Sequence, residues 1–158
     1  MSDPAPGDAD LGAIRAAFGC GPALAGTIAA MARGSGHDRG ALLWPLPDRD
    51  ETSLLTAGAA QEVAYGRDGA MLVLLPIAPG DFYGALVAPD ADAVRVEALS
   101  DGTAKHFSGA AVIRLMESYS CVGVAITRHL AGRLAAIRQR MVEAAMLSAT
   151  GRVAAELL

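Results

Sequence analysis

The chain has 158 residues, 53% of them hydrophobic and 19% charged. That is enough for one core of ordinary size and excludes a mostly disordered chain. No apolar run approaches the ~20 residues of a membrane span, and the acidic, proline-bearing start (MSDPAPGDAD) lacks the basic segment of a secretory signal, so a cytoplasmic protein with no membrane partner is expected. The net charge of −4 is uneven: residues 121–158 carry five Arg against two Glu, so the first 120 hold eight basic and fifteen acidic residues, a poor balance for a stand-alone nucleic-acid binder.

In chain order, residues 1–10 are small, acidic and expected to be disordered. Leu11, Ile14 and Phe18, then Leu24, Ile28 and Met31, recur at helical spacing, and Gly19–Pro22 (GCGP) divides them into two short helices. Gly34–Gly40 (GSGHDRG) reads as a turn-rich loop. Ala41–Leu46 is a short apolar run closed by Pro45 and Pro47, and Leu54–Tyr65, Met71–Ile77, Phe82–Val87 and Val94–Leu99 read as short strands, separated by turn signals such as Gly66–Gly69 (GRDG). Their even spacing predicts a small antiparallel barrel or sandwich.

The 3.6-residue period returns in Ala110–Ser118 and in a long helix over Val122–Leu147. In the latter, Leu130, Leu134, Ile137, Met141 and Ala144 are spaced 4, 3, 4, 3. That is a heptad seam, and it predicts a homodimer. Ser148–Thr150 reads as the cap of a new helix opening at Gly151. The chain closes on Leu157-Leu158 with no polar tail, so a cut inside an element is expected.

Candidate chemistry is sparse. There is no GxSxG, phosphate-binding GxxxxGK[ST] loop or HExxH, so an enzyme is not expected. Cys20 and Cys121 lie far apart with no CxxC, and read as free thiols. His37 falls in the Gly-rich loop, His106 near the end of the strand region and His129 beside the heptad seam. No spacing among them supports zinc, an iron–sulfur cluster or haem, so no metal and no cofactor is expected. Trp44 reads as a core residue.

Three phrases carry a resemblance. Ala144–Leu158 (AAMLSATGRVAAELL), Gly80-Asp81-Phe82-Tyr83-Gly84 and Ala98-Leu99-Ser100-Asp101 resemble the hinge, the ligand-cassette turn and the following strand end of the cyclic-AMP receptor / fumarate–nitrate regulator (Crp/Fnr) family of bacterial transcription factors. The resemblance spans roughly residues 18–158 and is specific at the hinge and the GDFYG turn. It implies an α+β fold: a cyclic-nucleotide-binding-like jelly-roll barrel with short N-terminal helices, over residues 11–119, and a dimerisation helix over 120–147. It also implies a hinge (Ser148, Gly151, Arg152) opening, at 148–158, a DNA-binding domain absent from this chain. The implied function is effector sensing and dimerisation for a transcription regulator, with DNA as a partner only through the missing domain.

The same resemblance places a ligand site at Gly84, Ala85, Leu86, Arg95, Ile137 and Arg138. The family holds a cyclic phosphate with backbone N–H groups and an Arg, and the ribose with a Glu. Here Ala85 stands where the Glu belongs and offers no acceptor. Arg95 reaches the phosphate position in an ungapped count, whereas anchoring on Ala98–Asp101 puts Asp92 there. Ile137 and Arg138 replace two hydroxyl residues. The expected effector is therefore a small molecule other than a standard cyclic nucleotide. A stand-alone dimerisation or protein-interaction module of the same fold, and a GAF- or PAS-like sensor, are the alternatives.

Overall fold

A computed structural model describes residues 7–45, 50–86 and 94–156, with side chains through Met146. Helix α1 (Asp8–Phe18) starts earlier than the sequence suggests. Gly7 caps it in extended conformation, and Asp8 and Asp10 in its first turn oppose the exposed N–H groups. Residues 8–10 are thus helical rather than disordered, while 1–6 lie outside the described residues. Gly19 ends α1 in the left-handed region at φ 58°, Pro22 opens α2 (Pro22–Ala30) at its first turn, and a bend of 105° separates the two helices.

Eight strands follow: β1 (Arg33–His37), β2 (Leu42–Trp44), β3 (Glu51–Ala57), β4 (Ala60–Tyr65), β5 (Met71–Ile77), β6 (Phe82–Gly84), β7 (Val94–Ala98) and β8 (Gly102–Ser108). They form two antiparallel sheets ordered β1-β8-β3-β6 and β2-β7-β4-β5. This is a jelly roll of two facing sheets and not a closed barrel. The expected single strand Leu54–Tyr65 is two, because the chain turns at Gly58 (φ 90°), where a Cβ would stand 2.6 Å from the Asp101 carbonyl oxygen. The GRDG turn closes the β4–β5 hairpin through Gly66 N–H to Ala70 O at 2.8 Å. The expected strand end at Val87 and the short run's end at Leu46 lie outside the described residues.

Two strands escaped the sequence reading. The segment expected as a loop at Gly34–Gly40 is largely β1, which pairs with β8 from Arg33↔His106 to His37↔Gly102. Neither strand shows apolar alternation, because β8 buries Lys105 and His106 with partners: Lys105 Nζ lies 3.2 Å from an Asp10 carboxylate oxygen, and His106 bonds two serines.

The core has two layers. One packs α1 and α2 onto the outer face of the first sheet, where all three phenylalanines of the chain meet. Phe18 stands edge-on to Phe82 at 5.2 Å and to Phe107 at 6.2 Å. The other fills the space between the sheets with Leu43, Trp44, Leu55, Ile77, Tyr83 and Val96. Ser108 caps α3 (Gly109–Ser118) by accepting from Ala111 N–H at 3.2 Å. After a 119° bend comes α4 (Ser120–Glu156), a helix of 37 residues. Its first turns bury Val122 and Ile126 in the first core layer. Its backbone stays helical through Ser148, Gly151 and Arg152, so the expected hinge is not a break and no new helix opens at Gly151; the side chains there lie outside the described residues. Among the described residues no single helix is long and apolar enough to cross a membrane.

Candidate functional site at the long helix

Helix α4 is tied to the jelly roll by polar contacts in succession. His129 sits over the GDFYG turn. Its Nε2 accepts from Phe82 N–H at 3.4 Å, its ring stands edge-on to Phe82 at 5.1 Å, and its Nδ1 faces an Asp81 carboxylate oxygen at 3.8 Å. Burial lowers the His129 pKa, Asp81 opposes that shift, and nearby Arg133 adds to it. One turn on, Arg133 donates to Glu62 of β4, and both side chains are nearly excluded from solvent. Two turns further, Arg140 donates to the Val73 carbonyl oxygen of β5 at 2.8 Å. Spaced 4 and 7, these three residues share one face of the helix.

Two hollows flank the ties. One, of about 310 Å³, is bounded by Leu75, Pro76, Asp81, His129, Gly132 and Arg133. The other, of about 430 Å³, is a mainly apolar groove between Leu72–Leu74 of β5 and Ile137, Arg140, Met141, Glu143 and Ala144 of α4.

The residues expected at the ligand site are dispersed. Gly84 ends β6 at φ 100°, where a Cβ would meet the Glu51 carbonyl oxygen at 2.6 Å, so only glycine fits. Ala85 N–H is taken by Glu51 O at 3.0 Å and Leu86 N–H by Thr52 Oγ1 at 3.1 Å. Two donors at the start of the expected phosphate cradle are therefore satisfied by β3. Arg95 alternates with the buried Val96 and lies exposed on the outer face of the second sheet. Its guanidinium covers the Tyr65 ring at 5.2 Å, while Tyr65 donates to Glu97 at 2.7 Å. Asp92 and the rest of 87–93 lie outside the described residues. Ile137 is half-buried against β5, and Arg138 is exposed.

The expected dimer residues divide in the same way. Leu130 packs partly on the first core layer and Ile137 lines the groove, whereas Leu134 and Met141 are 58% and 67% exposed. Ala144 lies exposed at the end of the groove. Val142 and Met146 extend the outward apolar surface.

Sequence reasoning does not find Glu62, whose burial inside a strand no local pattern signals, nor Arg133, which lies off the heptad spacing. His37, expected in a solvated loop, is the half-buried last residue of β1. Cys20 and Cys121 are both free. Burial raises the Cys20 pKa and the neighbouring Cys121 adds to that, which disfavours the thiolate that redox sensing requires. Among the described residues no group of three His, Cys, Asp or Glu side chains is placed to hold a metal ion.

No protein-family model and no curated protein sequence matches the chain. Solved structures match closely in shape. A CooA mutant from Carboxydothermus hydrogenoformans superposes with a TM-score of 0.70 at 14% identity, covering 86% of this chain and 88% of that one. The catabolite activator protein of Thermus thermophilus gives 0.67 at 18%, covering 84% and 63%. The c-di-GMP-responsive global regulator CLP of Xanthomonas campestris gives 0.66 at 19%, covering 82% and 67%. At these identities the likeness establishes a shared fold.

Proposed function

We propose, from the fold this chain shares with the sensor domains of Crp/Fnr-type regulators, that it is the effector-sensing and dimerisation part of a transcription regulator whose effector is not a standard cyclic nucleotide. The observation that carries this reading is the behaviour of α4. One face is tied to β4, β5 and the β6 turn through Arg133, Arg140 and His129, while Leu134 on another face is 58% exposed and Met141, at the edge of the groove, is 67% exposed in the single chain. A helix held in that way transmits a change at the jelly roll to whatever packs on its far side.

The cyclic nucleotide is disfavoured by the residues at its expected position: Ala85 in place of an acceptor, the Ala85 and Leu86 N–H groups already bonded to β3, and Arg95 stacked on Tyr65. The effector is instead assigned to the apolar groove between β5 and Ile137. Its chemistry is an apolar body with one polar group able to reach Arg140 or Glu143. DNA contact belongs to a further domain: the chain spans 63% of the length of the Thermus relative.

Two measurements test this. In sedimentation, the parent chain runs as a dimer, and Leu134→Arg and Met141→Arg run as monomers, because a charge buried in an apolar seam is strongly unfavourable. Unchanged sedimentation of both variants overturns the dimer. Calorimetric titration with cyclic AMP and cyclic GMP gives no saturable heat, whereas saturable binding lost in Arg95→Ala restores the cyclic-nucleotide site.

A further inference from the structure

A second polar region lies inside the jelly roll where β1, β2 and β8 meet. It shares no residue with the α4 seam. Alternation along the strands turns Ser35, Ser53, Tyr83 and His106 toward the space between the sheets, opposite to Leu54, Phe82 and Phe107. His106 is 7% exposed and bonded at both ring nitrogens: Nε2 to Ser35 Oγ at 2.6 Å and Nδ1 to Ser53 Oγ at 2.7 Å. Beside it is a cavity of about 380 Å³, lined among others by Ser35, His37, Leu43, Tyr83 and His106.

This cavity holds unmet hydrogen-bonding capacity. Tyr83 is 0% exposed and lines the cavity, yet its hydroxyl makes no hydrogen bond of good geometry, although Ser53 is near enough to influence its ionisation. Both ring nitrogens of His37 are likewise buried and unpartnered. Polar atoms withheld from water are ordinarily paired, and the exceptions call for an explanation. Packing does not supply one at His37: it borders Gly102, where a Cβ would come within 2.8 Å of His37 Nε2. The opposite wall, from Ala41 to Leu43, is apolar, and exposed Leu42 and Arg33 form a rim open to solvent.

We propose that this cavity binds a small uncharged molecule: a ring-sized apolar body carrying one or two hydroxyl or amide groups. The apolar wall takes the body, and Tyr83, His37 and Ser35 take the polar groups. Charge sets the class. The one strong cation nearby, Arg33, is already bonded to Glu51 at 3.1 and 3.4 Å, so no free charge awaits an anion. Burial lowers the pKa of both imidazoles, that of His106 to about 4, while Asp101 and Asp38 oppose the shift at His37. Asp38, the carboxylate among the lining residues, is exposed at the rim with Arg33, so an ion moving in between the sheets would leave its counter-charge in solvent. The Ser35–His106–Ser53 arrangement is not a nucleophile relay, because a histidine pushed down to about 4 is a weak base.

The test is a titration of the 158-residue chain with phenol, resorcinol and benzamide, and with benzoate and benzylamine as charged counterparts, followed by amide NMR. The neutral probes are expected to give saturable shifts at residues 33–37, 41–43 and 102–106, with binding at least about ten-fold tighter than the ions, equivalent to about 1.4 kcal/mol. Ala41→Phe, which fills the cavity, abolishes the shifts. Tyr83→Phe weakens binding several-fold without lowering the melting temperature, which separates a ligand contact from a structural one. Absence of saturable shifts for all three neutral probes overturns the site, as does equal binding by ions or undiminished binding by either variant.

Discussion

The two polar regions of this molecule are built on opposite principles. At the α4 seam each polar group has found a partner: Glu62 holds Arg133, Asp81 faces His129, and the Val73 carbonyl oxygen takes Arg140. At the β1–β8 end the groups are neutral, and the Tyr83 hydroxyl and both His37 nitrogens have no partner. A saturated charged seam fixes the position of the helix it joins. An unsaturated neutral cavity is suited to receive something. The contrast assigns the mechanical element to α4 and a reserve of recognition chemistry to the far end of the same jelly roll.

The sharpest way to break the comparison is to unpair the seam. Glu62→Ala leaves the Arg133 guanidinium nearly buried with no counter-charge, and breaking such a pair costs about 3–5 kcal/mol. Removing both charges in Glu62→Leu/Arg133→Leu restores most of that loss, since apolar packing of similar volume replaces a buried pair well. Denaturant unfolding of the parent, the single and the double variant reads both effects. A loss under about 1 kcal/mol for Glu62→Ala would place the pair among surface bridges and remove the clamp from the argument.

The next effect is a pH dependence from the neutral region. Burial, with help from Arg33 and His37, pushes His106 from the usual value of 6.5 down to about 4. The unfolded chain therefore binds this proton more readily than the folded one, and stability rises with pH across that interval. It is complete above about 6.5 and falls as the pH drops toward about 4, by about 3 kcal/mol in total. His37 and His129, both also lowered by burial, act in the same direction. Unfolding midpoints of the parent and of His106→Gln between pH 4 and 7 measure it: the variant's slope should be shallower, whatever its absolute stability. Equal slopes would mean that His106 is hydrated in the folded chain.

How much of this was legible in the sequence follows the physics of each element. The Gly19–Pro22 break, the GRDG hairpin, the Met71–Ile77 strand and the long helix all carried local signals: caps, turn residues and period. Gly58 carried one too, but the apolar residues on both sides obscured the turn it makes. β1 and β8 had none, because a strand that buries Lys105 and His106 gains its stability from Asp10, Ser35 and Ser53, residues distant in sequence. The heptad seam was visible as spacing. Spacing alone could not say that Leu130 and Ile137 lean on their own jelly roll while Leu134 faces outward and Met141 only borders the groove. The seam pair Glu62–Arg133 joins residues 71 apart, and the unpartnered state of Tyr83 exists only after the sheets have packed.

The smallest expected effect sharpens the comparison most, because its sign is unusual. Removing a buried hydroxyl ordinarily costs about 1 kcal/mol through a lost hydrogen bond. The Tyr83 hydroxyl has no bond of good geometry to lose, with Ser53 only near it, and folding chiefly strips it of water. Burial also drives its pKa up to about 12, the same desolvation read through ionisation. Tyr83→Phe keeps the ring in the inter-sheet core beside Leu55 and Val96 while deleting the desolvated atom. The unfolding free energy should then stay level or rise by up to about 1 kcal/mol, in contrast to the loss at Glu62. A drop of about 1 kcal/mol or more in denaturant unfolding would show that the hydroxyl is bonded in solution, through Ser53 or through water. The neutral region would then be as saturated as the charged one, and its cavity would have no hydrogen-bonding capacity left to offer.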